Sequence, residues 1–138
     1  MIRELALSTR AKTGNINTIS DMPMKSIAKR TNHRVYIQDA RAMKDLPSDR
    51  VDLIVTSPPY PMIEMWDETF SIQDPKIQEA LLFNGKEAYQ RMHLQMDTVW
   101  QEVFRVLKDG GLACINIGDA TRKTKGDFAL YPNHTRIQ

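Results

Sequence analysis

Hydrophobic and polar positions alternate without any clear period through residues 14–31, around Pro23, and that stretch predicts no element. From Val35 the pattern becomes legible. Val35-Tyr36-Ile37 is β-branched and aromatic and ends at Gln38-Asp39, which predicts a short strand with an acid at its carboxyl end. Residues 40–46 predict a short helix, closed by Pro47-Ser48-Asp49 as a turn. Val51-Asp52-Leu53-Ile54-Val55-Thr56 is almost continuously apolar, the form of a strand buried on both faces of a parallel sheet. It breaks into Ser57-Pro58-Pro59-Tyr60-Pro61, and proline has no N–H to give to a ladder, so the strand ends there.

The strongest periodic signal lies at residues 86–108. Tyr89, Met92, Met96, Val99, Val103 and Leu107 recur at steps of three and four, with Trp100, Phe104 and Val106 broadening the stripe. Gly110-Gly111 reads as the stop signal of this helix. Residues 112–117 then predict another buried strand, with Cys114 as a small core residue. Strand, short helix, strand, long helix, strand predicts an α/β fold around a parallel sheet. Ligands of such sheets bind beyond the carboxyl ends of the strands. Asp39, the segment from Ser57 to Tyr60, and Gly118-Asp119 all fall at such ends, so three polar segments are expected on one rim.

Composition narrows the class. A chain of 138 residues with 41% hydrophobic and 26% charged positions suits one globular domain. Its apolar runs are too short for a membrane-spanning helix, and the first residues lack the apolar stretch of a secretory signal. A single cysteine forms no internal disulfide, so a reducing cytoplasm is the expected compartment. The three histidines and Cys114 show no metal-ligand spacing, and no metal is expected. Residues 1–34 hold seven basic and two acidic side chains, whereas residues 35–138 hold 12 and 15. The division predicts a basic N-terminal extension, 1–34, on a mildly acidic body, 35–138. Such an arm suits a phosphate contact or simple solvation equally well. Arg122, Lys123 and Lys125 are a second candidate for phosphate.

The chemistry concentrates in Ser57-Pro58-Pro59-Tyr60. Two prolines after a buried strand fix both φ angles and push the residues before them to extended geometry. Backbone carbonyls in so stiff a turn are open to donors from a ligand. Ser57 adds a hydroxyl and Tyr60 a flat face on which a base can stack. Such a loop can hold an exocyclic amine with two acceptors while its ring lies on an aromatic wall.

These residues, with the strand before them, resemble the signature of the DNA amino-methyltransferases of restriction–modification systems: Asp, Asn or Ser, then Pro-Pro and an aromatic. The likeness extends over residues 34–138, through the long helix, the Gly-Gly turn and, more weakly, Tyr131-Pro132-Asn133-His134-Thr135-Arg136. It implies a Rossmann-like, mostly parallel sheet that uses S-adenosylmethionine to methylate cytosine N4 or adenine N6 in DNA. Ser57 and the Pro58 carbonyl would then accept from the amine, Pro59 would stiffen the loop, and Tyr60 would stack on the flipped base. Asp39 would meet the cofactor's adenine, and Asp119 would line the same rim. Ser57 at the first signature position favours cytosine, a smaller base that leaves room near Tyr60 for Met62 or Trp66. The sequence departs from the family in one respect. In this permuted arrangement the glycine-rich cofactor loop lies near the carboxyl end, and nothing here resembles it. The resemblance therefore implies the catalytic-loop half of a domain, acting with a complementary chain, a missing half or a second copy. Two alternatives remain, a non-catalytic nucleic-acid-binding remnant and an RNA amino-methyltransferase.

Overall fold

The computed structural model describes residues 32–125 and 127–137. The expected contact from the basic extension falls almost wholly outside them. The chain divides into two units, Met1–Val35 and Tyr36–Gln138, and the second carries every regular element described below.

Two strands form the parallel sheet. β1 (Val51–Thr56) pairs with β2 (Leu107–Ile115), and the hydrogen bond from Asn116 N to Thr56 O, 2.9 Å, prolongs the ladder. Between them in sequence come a 3-10 turn (Glu64–Trp66), α1 (Asp67–Gln73), α2 (Lys76–Phe83) and α3 (Gly85–Val106). After β2, the antiparallel hairpin of β3 (Ala120–Thr124) and β4 (Asp127–Tyr131) leads into the short α4 (Asn133–Ile137). This is the α/β class that the hydrophobic pattern predicts, with the long helix crossing between two parallel strands.

α3 organises the unit because its stripe serves two partners. Its cap is Asn84, whose side chain accepts from Glu87 N at 3.1 Å. Along the first two-thirds, Ala88, Met92 and Met96 bury against Phe70 of α1, Ile77 of α2 and Tyr131 of β4. Gly85 permits this approach, since a Cβ there would collide with the Tyr131 hydroxyl and Thr124. Towards its end, Val99, Trp100, Val103 and Val106 turn to β1 and share a 280 Å³ apolar cavity with Met43, Leu46 and Ile54. Arg105 ties the 43–48 loop to this end by donating to Glu102 and to the carbonyls of Leu46 and Met43.

Four sequence expectations need correction. Val35-Tyr36-Ile37 is not a strand: no described segment pairs with it, and Val35 and Ile37 lie exposed. Residues 40–46 form successive turns instead of a helix, with Ala42 N bonded to Asp39 O and Leu46 N to Met43 O. Gly110-Gly111 does not stop α3, which ends at Val106 where Leu107 becomes extended. The glycines instead lie in an irregular stretch of β2, where the register jumps from Val51↔Leu107 to Leu53↔Leu112 and Gly110 adopts φ 76. Finally, the strands are not buried on both faces. Leu53, Val55, Leu112 and Cys114 are exposed on them, so Cys114 is no core residue. α3 covers one face, and no described element covers the other.

Candidate active site

β1 delivers Ser57 at its carboxyl end, as the prolines require. Ser57 is exposed, Pro58 is buried, and Pro59 and Tyr60 are half-buried. Ser57 Oγ and Tyr60 Oη lie 3.2 Å apart, and either hydroxyl can donate. No group among the described residues donates to the Pro58 carbonyl. Tyr60 also begins a tight turn, closed by Ile63 N donating to Tyr60 O at 3.2 Å. Pro61 stands second in this turn and Met62 third, with φ 67. A positive φ at the third position marks a type II turn, which glycine ordinarily occupies. Met62 is held there by burial, at 1% exposure, inside the core cluster.

The 116–119 segment after β2 closes the rim from the other side. Gly118 lies under the Tyr60 ring, where an added Cβ would sit 3.5 Å from the ring edge. Asn133, fully buried at the start of α4, donates through Nδ2 to Pro61 O at 3.0 Å and to Gly118 O at 2.9 Å. Asp119 faces His134, whose Nδ1 lies 2.6 Å from Oδ1 and whose backbone N donates to the same oxygen at 3.2 Å. The His134 hydrogen bond holds the Asp119 carboxyl below its ordinary value of 3.8. Asp39 binds Arg41 through both carboxylate oxygens, and that pairing lowers its pKa to about 2. Both carboxylates are therefore ionised acceptors near neutrality.

The rim thus brings the Ser57–Tyr60 loop together with Gly118 and Asp119. Asp39 follows no strand, but its neighbour Ala40 lines the 280 Å³ cavity together with Thr56 and Pro58. The Asp39 partner, Arg41, reaches to Gln95 of α3 at 3.2 Å. Met62 is buried in the helical core, and Trp66 packs half-buried against it. Arg122, a candidate for phosphate, is committed to Asp67 by two hydrogen bonds of 2.7 and 2.6 Å, leaving Lys123 and Lys125 exposed. Sequence reasoning missed Asn133 and the Asp119–His134 pairing, because both depend on a hairpin it did not predict. The signal in the sequence was the glycine of Lys125-Gly126, a turn former between two short runs. No cluster that could hold a metal ion occurs among the described residues.

For S-adenosylmethionine the residues present are a partial fit. Asp39 and Asp119 offer ionised acceptors for amine or hydroxyl groups, but no described element is a glycine-fed helix start at the rim.

A family profile described as DNA methylase (N6_N4_Mtase) matches residues 51–135. The type II methyltransferase M.MjaI of Methanocaldococcus jannaschii is 46% identical over 83% of the chain and 42% of its own length. M.MthZI of Methanothermobacter thermautotrophicus is 49% identical over 78% of the chain and 31% of its own length. The chain therefore spans less than half of each of these relatives. Among solved structures, a putative DNA modification methylase from Thermus thermophilus superposes with a TM-score of 0.55 at 30% identity, covering 77% of the chain and 37% of that protein.

Proposed function

The chain belongs to the DNA methylase family, and from that premise we propose that it carries the catalytic loop of an enzyme that methylates an exocyclic amine in DNA. The observation that carries this reading is the Ser57–Tyr60 loop at the carboxyl end of β1, with an exposed Ser57, a Pro58 carbonyl to which no described group donates, and a Tyr60 ring beside Gly118. The methyl donor in this reading is S-adenosylmethionine, which supplies an electrophilic methyl on a sulfonium. This chain's residues do the rest by orientation. The target base leaves the duplex stack and lies on Tyr60. Ser57 Oγ and the Pro58 carbonyl accept from its amine, aiming the nitrogen lone pair at the methyl group. When bound, the donor would supply its methyl and leave as a thioether, while the amine held by Ser57 and the Pro58 carbonyl would give up a proton to solvent. Asp119, on the same rim, and Asp39 are the candidate acceptors for the donor's polar groups.

The reading includes a complement, supplied by another chain, by a further segment or by a second copy. The apolar outer face of β1 and β2 supports it, as does the partial fit to the donor. The enzyme works in this reading in the cytoplasm. No helix among the described residues is long and apolar enough to cross a membrane.

The target assigned is cytosine N4. A serine at the first signature position accepts from the amine and can also donate, whereas a carboxylate only accepts. DNA methylated by the completed enzyme is digested to nucleosides and resolved by mass spectrometry. N4-methylcytosine is the expected product. N6-methyladenine alone would overturn the base assignment and leave the methylase reading standing.

A further inference from the structure

Asn133 makes three side-chain hydrogen bonds, and together they fix more than its own position. Its Nδ2 donates to two carbonyls, Pro61 O and Gly118 O, and carbonyls only accept. The amide orientation is thereby settled, and Oδ1 is the atom that faces His93 Nε2 at 3.0 Å. An amide oxygen only accepts, so His93 must carry its hydrogen on Nε2. In the neutral ring Nδ1 is then a bare acceptor, and that nitrogen is buried without a hydrogen-bond partner among the described residues. The Tyr89 ring meets the imidazole edge-on at 4.5 Å and helps exclude water. A histidine that leaves one nitrogen unsatisfied in the core gives up stability there to place the other.

What it places is the turn after the catalytic loop. The Pro61 carbonyl belongs to the peptide that precedes Met62, whose φ of 67 is left-handed. That conformation costs a non-glycine residue on the order of 1–3 kcal/mol and persists only where the surroundings hold it. Asn133 grips the peptide plane from the side to which a type II turn directs that carbonyl, and by its second bond ties the turn to Gly118 beneath Tyr60.

We infer that His93 and Asn133 form a positioning pair for methyl transfer: His93 orients the Asn133 amide, and Asn133 locks the Tyr60–Ile63 turn to the 116–119 segment so that Ser57 and Tyr60 hold their geometry. This rests on the catalytic reading of the Ser57–Tyr60 loop. Neither residue touches the base; both act through the loop.

The test compares the 138-residue chain with Asn133→Ala, His93→Leu and His93→Gln, the last keeping a donor for Asn133 Oδ1. Amide exchange at Ile63, which is bonded to Tyr60 O, is expected to quicken at least tenfold in Asn133→Ala and His93→Leu and to stay near wild type in His93→Gln, with α3 amides protected throughout. In the completed enzyme the first two variants are expected to lower kcat at least tenfold with KM for DNA within about twofold, and His93→Gln to restore most of the rate. Unchanged Ile63 exchange in a folded Asn133→Ala, or a loss spread evenly over α3 and β1, overturns the inference. Should the first two variants fail to fold, nitrogen-15 histidine correlations of the wild-type chain decide: Nε2–H supports the pair and Nδ1–H refutes it. A Ser57→Ala control separates the two claims. If it leaves methylation untouched while Ile63 exchange still responds to Asn133, the catalytic reading fails and the loop anchor stands.

Discussion

The rim around Tyr60 and the outer face of β1 and β2 are a few residues apart in sequence and opposite in character. At the rim, residues distant in the chain converge: Asn133 reaches back 72 positions to Pro61, and Met62 is buried among helices that follow it. On the outer face, Leu53, Val55 and Leu112 stand 53%, 73% and 65% exposed, far more than strand residues of a finished sheet. The same two strands thus support a Ser57–Tyr60 loop already held in shape and an apolar surface that no described element covers. A single folded unit can hold one loop by contacts distant in the chain and, beside it, present an apolar face that no described element covers.

The largest effect expected from that contrast is on activity. The 138-residue chain by itself should neither methylate DNA nor bind S-adenosylmethionine tightly in calorimetry, and a complement carrying a glycine-rich donor loop should restore both. Tight donor binding by the chain alone would remove the asymmetry between rim and face.

Next come truncations that weigh the inner side of α3 against the outer face of the sheet. Met92→Ala, at a fully buried position, is expected to cost about 2–5 kcal/mol in urea unfolding. Leu112→Ser on the open face is expected to change the isolated chain by no more than about 0.5 kcal/mol, yet to weaken recovery of activity with the complement. Equal losses from the two substitutions in the chain alone would mean that the outer face is already covered.

A smaller effect concerns pH and reports on the rim. Burial, ahead of its other influences, holds the His93 pKa below the ordinary 6.5. Because the folded value is the lower one, the unfolded chain takes up protons first as pH falls. The stabilisation is complete above about pH 6.5 and declines progressively below it. Thermal midpoints of wild type and His93→Gln should therefore run parallel above that pH and converge or cross beneath it. Parallel curves down to pH 5 would show that His93 titrates as in the unfolded chain.

The sequence made the backbone of this arrangement readable where a signal was local and strong. The stripe from Tyr89 to Val106 marked α3 almost to its ends, and the prolines marked where β1 stops. Burial was misjudged because an apolar run reads alike whether its second face is covered or waiting for cover, as Val55 and Cys114 show. Val35-Tyr36-Ile37 has strand composition, but a strand exists only with a ladder partner, and none of the described residues provides one. The places of Ser57 to Tyr60 after β1 and of Gly118-Asp119 after β2 were legible from the apolar runs before them. Asn133 and His93 were not, since an asparagine near a helix start reads as a cap and a histidine on an apolar stripe as core. Their pairing is a tertiary fact across 40 positions.

The central claim, that Ser57 accepts from the reacting amine, is tested most directly by single-turnover methylation of duplex DNA with the completed enzyme carrying Ser57→Ala. Loss of one such hydrogen bond at the transition state is worth about 1–3 kcal/mol, so the rate should fall on the order of 10- to 100-fold while the DNA dissociation constant stays within about twofold. An unchanged single-turnover rate would contradict the account.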